Sequence, residues 1–285
     1  MNSRSFAKAI WFLFLFMMIF GCQEVNVPSR NAQSKDKDGL GGIDIKGLPR
    51  LSERKIFFGH QSVGFNILQG IDELLRDSKE TRLTVVNFEI DGIPPEGRGI
   101  FEAKIGTNGN PFKKIDEFKK VVLGGEGTTP WEMAFFKFCY VDFYENADVE
   151  KIFEAYKRSI TEIRTKLPGL IVVHMTVPLT TGTPSVKERI KGVLGRKEIE
   201  FLGNIKRNRF NDLMRAEYAG NAPLFDLAGY ESTRPDSSRA AFQYEGKSYE
   251  MLDRGYTDDG GHLNGKGRDW VAWNLLSYLS GLSGK

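Results

Sequence analysis

Apolar and polar residues alternate along the chain in a way that predicts strands followed by helices. The apolar run "KIFFGH", residues 55–60, is short and has a glycine near its end, which is typical of a buried strand. The segment after it has apolar residues at helical spacing, and five of them share one face: Ile67, Leu68, Ile71, Leu74 and Leu75. These residues predict a first strand–helix pair.

Further strand–helix pairs follow. Apolar runs predict strands at 82–90, 133–141, 169–178 and 222–228. Helical spacing predicts helices from Pro111, over 147–167, over 199–219 and through Leu279 near the end of the chain. A segment rich in glycine and proline, from Asp91 to Asn110, predicts a long loop. The alternation predicts an α/β fold, a three-layer α/β/α sandwich of the flavodoxin-like kind with a five-stranded, mainly parallel sheet.

The N-terminal residues are predicted to be a targeting segment. Two basic residues precede a run of twelve apolar residues, Ala9–Phe20, whose length is typical of a signal peptide and too short for a spanning helix. The sequence "GC" after this run resembles the lipobox of bacterial lipoproteins, which implies a signal peptide at 1–21 and an acylated Cys22. The residue after Cys22 is Gln23 and not aspartate. By the same resemblance, this indicates a protein of the Gram-negative cell envelope, at the outer membrane or facing the periplasm. The alternatives are an uncleaved anchor and an ordinary secreted protein.

The rest of the chain divides into a tether and one domain. Residues 22–49 are polar and lack periodicity, which predicts a flexible tether, and residues 50–285 fit one domain. With Cys22 acylated, Cys139 is the one remaining thiol, so an intramolecular disulfide is excluded. The net charge of +3 falls to +1 when the two basic residues of the signal peptide are removed, so the mature chain has no electrostatic footprint for nucleic acid.

Candidate catalytic residues lie in the loops of the predicted fold. Ser62 follows the first strand, and Asp259 and His262 lie in "DDGGH" before the last helix. In a parallel sheet, functional loops meet beyond the carboxyl ends of the strands. A serine becomes a nucleophile when a histidine takes its proton, and a carboxylate fixes the histidine tautomer. The alternatives are a helix cap for Ser62 and a polar turn around His262.

This arrangement resembles the SGNH/GDSL hydrolase superfamily over residues 54–282. The last block of that family is an aspartate, two residues and the catalytic histidine, and Asp259-Gly260-Gly261-His262 has this form. Residues 209–227 also resemble the helix and strand that precede the block. The resemblance implies a serine esterase in which Ser62 attacks the acyl carbonyl, His262 is the general base and Asp259 orients it.

The first block departs from the family pattern. It usually reads Gly-Asp-Ser, whereas this chain has Gly59-His60-Gln61-Ser62, so an alignment without a gap puts Gln61 in the place of the serine. Gln61 cannot be a nucleophile, and this register decides between an enzyme and a pseudoenzyme. Glycines at 59 and 64 favour Ser62, because they permit the sharp turn that exposes it.

The third block departs as well, because Val141 and Asp142 stand where the family has an asparagine that donates to the oxyanion. A carboxylate cannot donate unless it is protonated. Backbone and side-chain donors are therefore expected elsewhere, and the candidates are Gly106, Asn108 and Gln61. His60 is a candidate for substrate contact, with a buried structural role as the alternative. Asp142 is a candidate for orienting His60 or binding a substrate hydroxyl.

The sequence therefore predicts a lipid-anchored envelope serine esterase that removes O-acetyl groups from a carbohydrate. Its expected partners are an acylated small molecule or glycan, and the membrane through the N-terminal lipid. An O-acetyltransferase with the same residues and a non-catalytic glycan-binding lipoprotein are the alternatives. No cofactor is implied. A metal site is not predicted, because the chain has three histidines and no Cys/His cluster near Asp258, Asp259 and His262.

Overall fold

A computed structural model describes residues 47–76, 83–91, 95–124, 130–182 and 200–283. They all lie in one unit of the chain, Ser34–Lys285. The predicted signal peptide, Cys22 and most of the predicted tether lie outside the described residues. The tether was predicted to end at residue 49, and this bound is wrong, because the first helix begins at Leu48 and the Leu48 side chain is buried. No helix within the described ranges is long and apolar enough to cross a membrane.

A parallel sheet forms the centre of the fold. Its strands in chain order are β1 (Lys55–His60), β2 (Val85–Asn87), β3 (Gly99–Lys104), β4 (Met133–Phe136) and β5 (Ile171–Val172). The order across the sheet is β2-β3-β1-β4-β5, and every neighbouring pair is parallel. The predicted α/β class and five-stranded parallel sheet are therefore confirmed. The middle strand is β1, and all six of its residues are buried.

The membership of the sheet differs from the prediction in two places. β3 lies inside the predicted long loop, because Glu102 and Lys104 interrupt its apolar residues and hide the strand pattern. The strand predicted at 222–228 is shorter, β7 (Leu224–Phe225), and pairs in parallel with β6 (His174–Met175) outside the five-stranded sheet.

A polar hairpin precedes the last part of the chain and was not predicted. It consists of β8 (Ala241–Tyr244) and β9 (Lys247–Glu250), paired antiparallel. Glu245 and Gly246 join the strands, and both have positive φ, at 48° and 75°. Two central residues with positive φ are typical of a tight hairpin turn.

Helices cover both faces of the sheet: α1 (Leu48–Ser52), α2 (Val63–Arg76), α3 (Pro111–Leu123), α4 (Val149–Lys166), α5 (Glu200–Tyr218), α6 (Leu227–Ser232) and α7 (Gly265–Leu282). Successive residues of β1 point to opposite faces, as in any strand. Ile56 and Phe58 pack in the core with α1, α2, α6 and α7, whereas Phe57 packs in the core with α3, α4 and α5. The fold is therefore a three-layer sandwich, with β1 as the middle strand of its central layer.

Candidate active site

Ser62 lies in a tight turn between the central strand and a helix. β1 ends at His60 and α2 begins at Val63, so two residues make the connection. Ser62 has φ of +53°, a left-handed conformation that is uncommon for a residue with a side chain and is concentrated at functional sites. A Cβ on Gly64 would overlap His60, so a glycine there lets α2 begin directly against the strand. The turn presents the Ser62 hydroxyl at the carboxyl edge of the sheet.

Three side chains form one hydrogen-bonded chain at this edge. Ser62 Oγ lies 2.7 Å from His262 Nε2, and His262 Nδ1 lies 2.7 Å from Asp259 Oδ2. An ionised carboxylate only accepts, so Nδ1–H donates to Asp259 and Nε2 accepts from the serine hydroxyl. The His262 side chain is 43% exposed, so a molecule in solution can reach the chain of hydrogen bonds.

The loop before α7 holds Asp259 and His262 in this arrangement. Asp259 Oδ1 accepts from the backbone N–H groups of Gly261 at 2.9 Å and His262 at 2.8 Å. Burial raises the pKa of Asp259, but these two bonds and the contact with the His262 ring outweigh burial and lower the pKa to about 2. Asp259 is therefore ionised at neutral pH.

Neighbouring elements fix the His262 loop from two sides. Asn66, on the first turn of α2, accepts through Oδ1 from the backbone N–H of Leu263 at 3.2 Å. The ring of Tyr140 meets the His262 ring edge-on, with centroids 5.7 Å apart. Burial raises the pKa of Tyr140 to about 12, and the charges of Asp259 and Glu200 add to this effect, so the phenol stays protonated.

Gln61 and Gly106 are not left free to act as oxyanion donors. The Gln61 amide donates to the carbonyl oxygens of Ile105 at 2.8 Å and Gly106 at 2.7 Å. The Gly106 N–H donates to Glu117 Oε2 at 2.5 Å. The structure therefore corrects both predictions: Gln61 faces the loop after β3 rather than His262, and the amide of Gly106 is already used.

His60 and Asp142 lie in separate buried pairs. His60 Nε2 lies 2.8 Å from Glu102 Oε2, and burial lowers the pKa of the imidazole. Asp142 Oδ2 lies 2.6 Å from Lys114 Nζ, and both side chains are fully buried. The predicted roles of these residues in substrate contact are therefore wrong, because neither side chain reaches solvent and Asp142 does not pair with His60.

Asn108 is the predicted donor whose amide remains available. It is exposed in the loop after β3, and its Oδ1 accepts from Lys114 Nζ at 3.2 Å. Its NH₂ has no hydrogen-bond partner among the described residues. Gln61, next to Ser62, holds one end of this loop, and the N–H of Gly109 donates to Asp142 at 2.8 Å and holds the other.

The sequence interpretation missed Tyr140 and Lys114. β4 ends at Phe136, and Tyr140 lies four residues later, beyond the carboxyl end of the strand, where functional loops are expected. Lys114 has helical spacing with the buried residues Phe118 and Val121, so it is a charge on an apolar helix face. No group of three or more His, Cys, Asp or Glu side chains that could hold a metal ion occurs in the part of the chain that the structure describes.

Comparisons with known proteins give distant similarities. No family model matches the chain. The stromal 70 kDa heat shock-related protein of Pisum sativum is 24% identical over 257 residues, 77% of this chain and 34% of that protein. The chain thus spans about a third of the length of this relative.

Two solved structures are similar over most of the chain. One is a protein described as lipolytic and of the G-D-S-L family, from Desulfitobacterium hafniense DCB-2, at 9% identity and TM-score 0.41 over 79% of this chain and 99% of that chain. The other is the acetyl xylan esterase AlAXEase, at 17% identity and TM-score 0.43 over 77% of this chain and 96% of that chain. Both TM-scores are below 0.5, so these similarities carry no conclusion about function.

The hydrogen bonds to Asp259 predict how this carboxyl group titrates. Its pKa of about 2 lies below the value of about 3.9 for an unfolded chain. The group therefore stabilises the fold fully above about pH 4, and this stabilisation is lost as the pH falls through 2. The side-chain carbon resonance of Asp259, identified by its absence in Asp259→Asn, should titrate near pH 2. A midpoint near pH 4 would contradict the hydrogen-bond geometry.

Proposed function

We propose that the protein is an ester hydrolase in which Ser62 is the nucleophile, His262 the general base and Asp259 the orienting carboxylate. The 2.7 Å hydrogen bond between Ser62 and His262 carries the proposal, because it joins residues 200 positions apart in the chain. A serine that only capped α2 would direct its Oγ to the helix N–H groups, but Ser62 Oγ accepts from no backbone N–H among the described residues, and the N–H of Phe65 donates to the Ser62 carbonyl instead. This supports an enzyme over a non-catalytic binding protein.

The same residues support membership of the SGNH/GDSL hydrolase superfamily, as a divergent member. The order of elements, with a serine directly after β1 and Asp-x-x-His before the last helix, agrees with the family pattern. The departures are the inserted residue before Ser62 and the missing asparagine after β4.

In the first half of the reaction, Ser62 Oγ attacks the carbonyl carbon of the ester while its proton passes to His262 Nε2. The carbonyl π bond breaks and its electron pair forms an oxyanion. Asp259, ionised because its pKa is about 2, stabilises the imidazolium that results. The imidazolium then gives its proton to the leaving alkoxide oxygen as the ester C–O bond breaks, and an acyl-serine remains.

The oxyanion needs donors aimed at the position where charge develops. The Gly106 N–H and the Gln61 NH₂ already donate to other groups. We therefore assign the role of side-chain oxyanion donor to the Asn108 NH₂. The backbone N–H of Ser62, which also has no partner among the described residues, supplies a second donor.

In the second half, His262 takes a proton from water, which attacks the acyl-serine and releases the acid. A hydroxyl group that replaces water would give acyl transfer by the same steps.

Half-exposed aromatic residues beside the site favour a carbohydrate substrate. We name this set the hairpin aromatic surface, and it consists of Phe201, Phe242, Tyr244 and Tyr249. A Cβ on Gly182 would contact Phe242 at 3.1 Å, and the neighbouring Thr181 N–H donates to Gly260 O at 2.9 Å. The surface thus adjoins the loop that carries Asp259 and His262. Aromatic rings offer large, rigid contact area at low entropic cost, which suits the flat faces of sugar rings.

The first test is hydrolysis of p-nitrophenyl acetate by the full-length chain. Ser62→Ala and His262→Ala should lower kcat by roughly 10⁴-fold, because each removes a group of the acyl-transfer step. Ser52→Ala, on α1, is the matched control and should keep full activity. Equal activity in all four proteins would contradict the proposal.

The second test concerns the substrate class. Phe242→Ala should raise KM for O-acetylated oligosaccharides about tenfold, equivalent to about 1.4 kcal/mol of binding, and leave kcat/KM for p-nitrophenyl acetate unchanged. Trp273→Ala removes another exposed aromatic side chain, on α7, and should change neither value. Parallel effects of Phe242→Ala on both substrates would argue against a sugar contact.

The third test concerns the membrane anchor. The lipobox-like "GC" supports acylation at Cys22 and a place in the cell envelope. In a Gram-negative host, the mature protein should begin at Cys22, carry lipid by intact mass and fractionate with membranes, whereas Cys22→Ser should remain unlipidated. An unmodified Cys22 in the wild type would refute the anchor.

A further inference from the structure

A buried ion pair lies beneath the loop that carries Asn108. Lys114, in the first turn of α3, and Asp142, after β4, are both fully buried, with Nζ and Oδ2 2.6 Å apart. Removal of two charges from water is costly, so a buried pair is weak evidence for a gain in stability. Its contacts instead indicate a role in holding the site.

Asp142 ties the loop after β3 to the end of β4. Its Oδ1 accepts from the N–H of Gly109 at 2.8 Å, and its Oδ2 accepts from the N–H of Cys139 at 2.7 Å. Cys139 precedes Tyr140, whose ring contacts His262. One carboxylate therefore sets the distance between the Asn108 loop and the strand end beside the catalytic histidine.

Lys114 fixes the loop from below. Gly106 has φ of +66°, and a Cβ there would overlap the Lys114 side chain, so the loop backbone lies directly on the lysine stem. The ammonium group also donates to Asn108 Oδ1 at 3.2 Å. Because an ammonium has no acceptor, Asn108 must present its oxygen to Lys114, and its NH₂ is then directed away from the buried pair.

We propose that the buried Lys114–Asp142 pair positions Asn108, so that its NH₂ serves as the side-chain oxyanion donor in place of the asparagine missing after β4. This inference rests on the proposed ester hydrolysis. Lys114 and Asp142 are positioning residues, and Asn108 is the group that touches the reacting oxygen.

Asn108→Asp separates the two functions of Asn108, because aspartate still accepts from Lys114 but has no NH₂. With p-nitrophenyl acetate, kcat should fall by about 10²-fold or more, with little change in KM. Phosphonylation of Ser62 by a fluorophosphonate, followed by intact mass, should slow similarly. Asn110→Asp adds the same charge two residues away and keeps the cap on α3, where Asn110 accepts from Lys113 N–H at 3.0 Å, so it should behave as wild type.

The positioning role is tested by Lys114→Met, which keeps the unbranched apolar stem of the side chain and removes the ammonium group. It should lower kcat with little change in KM, and in an Asn108→Ala background it should lower kcat no further. A merely structural role would give independent, multiplicative losses in the double variant, and this result would overturn the proposal.

A measurement on the wild-type protein tests the role of Asn108 even if Lys114→Met does not fold. The side-chain NH₂ resonances of Asn108 should shift when Ser62 is phosphonylated, whereas those of Asn110 should not. Unchanged Asn108 resonances, or full activity of Asn108→Asp in a protein that loses activity with Ser62→Ala, would overturn this inference alone. A wild type that neither hydrolyses the ester nor reacts with the phosphonate would overturn both this inference and the proposed function.

Discussion

The left-handed backbone of Ser62 is the constraint on which the site depends. The residue stands between a strand buried along its whole length and a helix that begins one residue later, so the turn cannot relax without moving the core. This rigidity holds the hydroxyl 2.7 Å from His262, which comes from the other end of the domain. Backbone strain of this kind persists only when the surrounding structure determines it, and here β1 and α2 do so.

Buried polar side chains support the site from beneath. Arg207 is fully buried, and its guanidinium donates to the carbonyl of Tyr140 and to the hydroxyl of Thr180, each at 2.9 Å. Thr181 in turn donates to Gly260, in the loop of Asp259 and His262. Glu231 is buried as well, and burial raises its pKa to about 8. Because desolvation of buried charges is costly, these side chains are weak evidence for added stability, and the hydrogen bonds of Arg207 instead join Tyr140, beside His262, to Thr180.

The sequence alone predicts the framework well because the framework depends on local pattern. β1 and α2 are read directly from apolar spacing, and Asp259 with His262 form a local motif. β3 and the contacts of Gln61 could not be read in this way, because they depend on residues distant in the chain. Glu102 looks like a loop residue until the fold brings its carboxylate within hydrogen-bond distance of the His60 ring. Likewise, Asp142 looks accessible until Lys114 covers it, since burial is a property of the packed fold.

The proposed reaction requires that Ser62 carry the acyl group during turnover. The most direct measurement is peptide mass mapping of the full-length chain after an acid quench during hydrolysis of p-nitrophenyl acetate. We expect one acetyl group on the peptide that contains Ser62, and none on that peptide in His262→Ala. Continued hydrolysis with an unmodified Ser62, or with the acetyl group on another residue, would contradict it.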